Sequence, residues 1–207
     1  MIGKGMKMRK VKAITGTGSS GTTFWIEFLA KLGLTELSGV YNDKAKGGYE
    51  WILYQSGLEK IKQTPAIFKD PRLFFGDFVK VKCDLENANI EIDFVWICHR
   101  NFSQASESRI KRKVDFSAYN NMSGVGADLH EKQVDFFRKG LASTINFLCS
   151  NDINFMLVDY ERLGDWEYCA QCIRFAGYEL TTPFIGKIED THKEVYKSEY
   201  KNRYKRL

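Results

Sequence analysis

The stretch Gly16-Thr17-Gly18-Ser19-Ser20-Gly21-Thr22-Thr23 spaces its outer glycines as G-x-x-x-x-G and fills the positions around them with hydroxyls. Glycines at this spacing let backbone N–H groups turn inward around phosphate oxygens, and a helix starting at the end of such a loop points its positive end at the same anion. The hydroxyls of Ser19, Ser20, Thr22 and Thr23 add side-chain donors. Nucleotide kinases end this loop G-K-[ST], with the lysine on the β- and γ-phosphates and the hydroxyl on magnesium. Here Thr22 stands in the lysine position, which disfavours metal-dependent phosphoryl transfer. A glycine-rich turn that binds nothing is the plain alternative.

Two further motifs carry charge. Cys98-His99-Arg100-Asn101 closes an aromatic-rich apolar run, and Ser108 follows Arg100 by eight residues. A guanidinium at a strand tip can grip phosphate through two charge-assisted hydrogen bonds, and a serine about two helical turns further on can add a third. Taken singly, Arg100 reads as well as a surface arginine and Ser108 as a solvated helix position, while His99 is expected to pack. Lys69-Asp70-Pro71-Arg72 follows another short apolar run. A carboxylate such as Asp70 can take the proton of an attacking hydroxyl, and Lys69 can stabilise charge on a departing phosphate. Asp70 as a helix cap, with Pro71 in the first turn, is compatible with that role.

These loops need a scaffold that gathers them on one edge. Apolar runs at 11–15, 66–68, 94–98 and 153–158 predict strands. Between them, Trp25, Phe28, Leu29 and Leu32 recur at helical spacing with Gly33 as a stop, and 103–112 reads as helix. Val134, Phe137, Leu141, Ile145 and Leu148 mark a longer helix. Trp166, Cys169, Ala170 and Ile173 mark another, capped by Asp165 and closed by Gly177. Continuous apolar strands alternating with helices predict an α/β fold of the P-loop NTPase-like kind, a parallel sheet flanked by helices on both faces. Ligands of such sheets bind beyond the carboxyl ends of the strands, where all three motifs fall. The whole chain, 1–207, reads as a single domain with a core at about 11–180 and a basic segment at 187–207.

At Ser20-Gly21-Thr22-Thr23-Phe24 the chain resembles the sulfotransferase family, whose 5′-phosphosulfate loop ends S-G-T-T before an aromatic residue. Arg100-Asn101 with Ser108 is similar to that family's 3′-phosphate pair, and Lys69-Asp70-Pro71-Arg72 to its K-D-P-R. Tyr160-Glu161-Arg162-Leu163 and Phe175-Ala176-Gly177 are similar to its later Y-E-x-L and F-x-G, so the matches run in family order from Ile14 to Gly177. The resemblance implies binding of 3′-phosphoadenosine 5′-phosphosulfate, without a metal, through Gly18, Ser19, Ser20, Gly21, Thr22, Thr23, Phe24, Arg100, Ser108 and Tyr160. It implies sulfuryl transfer to a hydroxyl or amine acceptor and release of adenosine 3′,5′-bisphosphate, with Lys69 and Asp70 catalytic. Phe24 and Tyr160 are implied to approach the adenine, although both also suit the core.

Two departures matter. Many members carry a cation where this chain has Ser19, and Lys69 is expected to supply that charge. The C-terminus lacks the family's basic glycine-rich loop. It offers Gly186-Lys187 and a tail with Lys193, Lys197, Lys201, Arg203, Lys205 and Arg206, while Tyr196, Tyr200 and Tyr204 suggest an amphipathic helix. The polar stretch at 116–128 is either an acceptor lid or a surface loop. A P-loop kinase and a non-catalytic nucleotide-binding protein stand as the alternative functions.

Composition sets wider bounds. A chain of 207 residues, 43% hydrophobic, can bury a sizeable core. Its net charge of +5 suits a polyanionic ligand without arguing for nucleic acid. Five cysteines with no disulfide-rich pattern point to a reducing, cytoplasmic setting. Cys169 and Cys172 sit in a helix pattern with neither a second pair nor a nearby histidine, so they are expected to pack rather than to hold zinc. No run approaches the ~20 apolar residues of a membrane span. The expected partners are the nucleotide co-substrate and an unidentified acceptor.

Overall fold

In a computed structural model of the chain, residues 8–35, 66–70, 73–74, 78–111 and 130–197 are described. Four strands, β1 (Arg9–Gly16), β2 (Ile67–Lys69), β3 (Ile90–His99) and β4 (Asn154–Asp159), form an all-parallel sheet in the order β2-β1-β3-β4. Among the described residues six helices flank it: α1 (Thr22–Lys31), α2 (Phe78–Asn87), α3 (Phe102–Lys111), α4 (His130–Ser150), α5 (Trp166–Phe175) and α6 (Thr182–Val195). The chain runs outward from β1 to β2 and then returns to β3 on the other side. The strand order therefore reverses between β1 and β3, the switch point where open α/β sheets leave a crevice for ligands.

Each face of the sheet has its own core. On one side Phe94, Trp96 and Cys98 of β3 meet Trp25, Phe28 and Leu29 of α1, Cys172 and Ile173 of α5 and Ile188 of α6. On the other, Val95 and Ile97 meet Phe78, Val81 and Leu85 of α2 and Leu148 of α4. The alternation slips at Asp93, because the register moves from Val11↔Ile92 to Lys12↔Phe94. The extra residue is anchored by Lys12, whose Nζ lies 3.2 Å from its carboxylate. Such a bulge adds one residue to one strand and re-aims the side chains beyond it. Here it turns Phe94, Trp96 and Cys98 toward α1.

The expected strands and helices are present, with shifted ends. β2 covers Ile67–Lys69 rather than 66–68, since Lys69 still pairs with Ile14. Asp165 caps α5 by accepting from the backbone N–H groups of Glu167 and Tyr168, and Gly177 closes it at φ 84°. Two helices differ from the sequence reading. Phe78–Asn87 had no assignment, and Thr182–Val195 begins with Pro183 in its first turn, where the sequence suggested mainly a basic tail. Tyr196 stacks on His192 at 5.6 Å, while Tyr200, Tyr204 and the stretch at 116–128 lie outside the described residues. No helix among the described residues is long and apolar enough to cross a membrane.

Candidate functional site

β1 delivers the chain into the loop 16–23, and α1 leaves from it. Ser20 folds the loop on itself: its N–H donates to the Thr17 carbonyl at 3.2 Å, and its hydroxyl donates to the same oxygen. Gly21 then takes φ 88° as the residue before α1, a left-handed conformation that favours glycine. The first turn of α1 has neither a side-chain cap hydrogen bond nor an acidic residue, so the positive end of the helix faces the loop without an opposing carboxylate of its own. Ser19 adopts φ 70°.

Lys69, at the end of β2, reaches this loop. Only 3% exposed, it donates from Nζ to Thr23 Oγ1 at 3.0 Å. Asp70 follows, 1% exposed, with its N–H bonded to the Ile14 carbonyl at 3.0 Å. Burial pushes the neighbouring Cys98 thiol far above its ordinary range, Cys172 adds to that shift, and the charge of Lys69 opposes it. Pro71 and Arg72 lie outside the described residues.

β3 ends beside the loop and leads to Arg100. The Arg100 guanidinium lies 4.4 Å from the centroid of the Tyr160 ring, and its Nε is 3.7 Å from Glu161 Oε1. Glu161 is 61% exposed, so this pair is worth little. The same Tyr160 ring passes 3.2 Å from where a Cβ on Gly21 would stand. Tyr160 therefore wedges between the loop and Arg100 and fixes their separation. Asp159 sets the 3₁₀ turn Tyr160–Arg162 by accepting from Glu161 N–H at 3.0 Å.

Ser108 lies on the buried side of α3 with Ala105, Ser106 and Arg109. A bond from Ser106 Oγ to Gln133 Oε1 of α4, at 2.9 Å, holds the rotation of α3. The Ser108 hydroxyl is buried and has no hydrogen-bond partner among the described residues, and the same is true of Thr15 Oγ1, Thr17 Oγ1 and Arg100 Nε. Trp25 Nε1, in the core on α1, and the Nε atom of Arg109 are buried without a hydrogen-bond partner among the described residues as well. An unmatched buried hydroxyl costs about 1–3 kcal/mol, which the hydroxyls of Thr15, Thr17 and Ser108 each carry in the free protein.

Phe24 is elsewhere. It is 3% exposed, stacks on Phe28 at 5.8 Å and meets His192 edge-on at 5.9 Å, within the core between α1 and α6. Tyr160 is 7% exposed beneath Arg100. His99 packs edge-on against Phe102 at 5.2 Å. Cys169 and Cys172 are both buried in the core, and burial holds the Cys172 thiol at about 12.

Arg109 is the site residue that sequence reasoning missed. Its guanidinium occupies the space where a side chain on Gly18 would begin: an added Cβ there would overlap Nη1 and lie 2.7 Å from Cζ. Its adjacency to Ser108 was the available signal. Lys69, at the end of β2, and Arg109, on α3, thus both reach the glycine-rich loop, and Arg100 lies just beyond β3 on the far side of the Tyr160 ring. Scanned against protein-family models and against curated proteins, the chain matches neither.

Proposed function

We propose that this protein binds 3′-phosphoadenosine 5′-phosphosulfate at the crevice between β1 and β3 and transfers its sulfuryl group to a hydroxyl or amine acceptor. The observation that carries the reading is the contact of Lys69 with Thr23. Thr23 stands where a G-K-[ST] loop places its magnesium-holding hydroxyl, and here it accepts from a buried ammonium at 3.0 Å. A fixed cation at that point suits transfer of an anion without a metal, and it argues against the kinase alternative.

The residues present fit the co-substrate. Loop 16–23 and the start of α1 provide N–H donors for the 5′-phosphosulfate. Arg100 Nε, paired with Glu161 at 3.7 Å but without a hydrogen bond, and Ser108 Oγ, without a partner on α3, are donors suited to the 3′-phosphate that separates this nucleotide from ATP. Phe24 is assigned no role with the adenine, because its ring is held in the core.

When bound, the nucleotide supplies an activated sulfuryl group whose transfer leaves negative charge on the oxygen of the departing phosphate. Lys69 meets that charge from the Thr23 side, standing in for the cation that Ser19 does not supply. Asp70, next in the chain, takes the proton from the acceptor hydroxyl. Asp70 is 1% exposed, so an acceptor must displace what covers it to reach it. That burial is also the observation favouring the second reading, a nucleotide-binding protein with no turnover.

Turnover measured with Lys69→Ala decides between them. Hydrolysis of the nucleotide, or transfer to a panel of phenols and sugars, should fall about 100-fold or more, with bisphosphate affinity nearly unchanged. In the same assay Ser19→Lys should raise turnover. A wild-type protein that binds the bisphosphate but releases no sulfate to water or to any acceptor is the non-catalytic one.

A further inference from the structure

We propose that Arg109 is a direct ligand of the anion held by loop 16–23 and adds a second fixed positive charge there beside that of Lys69. The inference rests on the reading of that loop as an anion cradle and extends it to a residue outside the motifs that suggested it. Its basis is the relation between Arg109 and Gly18. The loop glycines with positive φ are Gly16 and Gly21. At Gly18 the question is space instead: a side chain there would meet the Arg109 guanidinium and push it aside.

The placement is a built one. Arg109 is 4% exposed, on a helix whose rotation is held by the bond from Ser106 to Gln133. Its neighbour Ser108 presents a buried hydroxyl with no partner among the described residues, a second sign that a ligand completes this face. A guanidinium keeps its charge at every accessible pH and offers planar donors matched to phosphate and sulfate oxygens. Held against Gly18, it has already given up the side-chain freedom that a surface arginine would lose on binding. The division of labour follows from position. Arg100, just beyond the β3 tip, reads the 3′-phosphate, whereas Arg109, reaching from α3 against Gly18, binds whatever anion the loop holds, the 5′ end of the nucleotide.

Calorimetry on the full chain tests this with inorganic pyrophosphate, adenosine 5′-monophosphate and adenosine 3′-monophosphate as probes. Arg109→Gln should weaken pyrophosphate and the 5′-monophosphate about tenfold or more, the loss expected for a charge-assisted bond, and change the 3′-monophosphate by less than about twofold. Gly18→Ala, which displaces the guanidinium without removing it, should follow the same pattern. Arg109→Lys should fall between it and wild type. If Arg109→Gln does not fold, the Gly18→Ala and Arg109→Lys variants carry the same comparison. A lowered unfolding midpoint of the free protein with all three affinities unchanged would overturn the proposal and make Arg109 a purely structural pin. Wild-type protein that binds pyrophosphate through Arg109 but ignores adenosine 3′,5′-bisphosphate refutes the sulfotransferase reading and leaves this one standing. Bisphosphate binding indifferent to Arg109 does the reverse, and no binding of any probe sinks both.

Discussion

Replacing Ser108 with alanine should make the free protein more stable and the nucleotide complex weaker, an opposition of signs that few substitutions produce. The residue is 6% exposed, and its hydroxyl has no hydrogen-bond partner among the described residues. Leaving a buried hydroxyl unmatched costs about 1–3 kcal/mol, whereas a void no larger than a methyl group costs about 1 kcal/mol. The net gain is then about 1 kcal/mol, or about 2–4 °C in Tm for a chain of this size. In the complex the same hydroxyl donates to a phosphate oxygen. Its loss should weaken adenosine 3′,5′-bisphosphate about 10-fold or more, the scale of a charge-assisted hydrogen bond. Thermal unfolding of the free protein and calorimetry with the bisphosphate measure the two effects separately. A lower midpoint with unchanged affinity would refute the reasoning, since Ser108 would then be serving the fold.

Arg100→Ala should weaken the bisphosphate by roughly 2 kcal/mol and leave adenosine 5′-monophosphate nearly unaffected; equal losses in calorimetry would mean that Arg100, stacked on Tyr160, supports the fold instead. Stability should also decline above about pH 9. Burial raises the thiols of Cys98, Cys169 and Cys172 above their ordinary value of 9.0, and the Tyr168 phenol above 10.0. The folded state therefore keeps protons that the unfolded state releases, and each thiol above about pH 9, joined by the phenol only above about pH 10, removes up to about 1.4 kcal/mol per pH unit. Urea midpoints should be flat with respect to these groups below pH 8 and fall between pH 9 and 11; a midpoint that rises there contradicts the burial of the thiols. In the native protein a thiol reagent should modify the exposed Cys83 and Cys149 rapidly and the other three slowly.

The sheet was legible because buried parallel strands are written as uninterrupted apolar runs, FVWIC in β3 above all. The bulge at Asp93 was not, since a register slip is fixed by pairing between strands and leaves no local mark. α2 escaped because Val79, 62% exposed, blurs the stripe of Phe78, Val81 and Leu85. α6 escaped because half of its buried stripe is polar, Thr191 and His192 beside Ile188 and Val195. His192 is accommodated there by a 2.7 Å bond to the Leu163 carbonyl and by Phe24, Phe28 and Tyr196, contacts that hydropathy cannot anticipate. At the site, Lys69 was readable from its place at the end of a strand. Phe24 carried two signals, a motif position and an i,i+4 relation to Phe28, and in the structure the helical relation governs its packing. Arg109 needed the three-dimensional angle of α3 against the loop, and only the bare Cα of Gly18 hinted that something lay there.

Thermal unfolding of the wild-type chain with adenosine 3′,5′-bisphosphate, compared with magnesium–ATP, tests the central claim most directly. Ligand held at 100 times its Kd adds about 2.7 kcal/mol to stability, a rise of about 5–10 °C in Tm at this chain length. The account predicts that rise with the bisphosphate, undiminished by a chelator, and little or none with magnesium–ATP. Stabilisation by magnesium–ATP that matches or exceeds that of the bisphosphate, and disappears with the chelator, would contradict it.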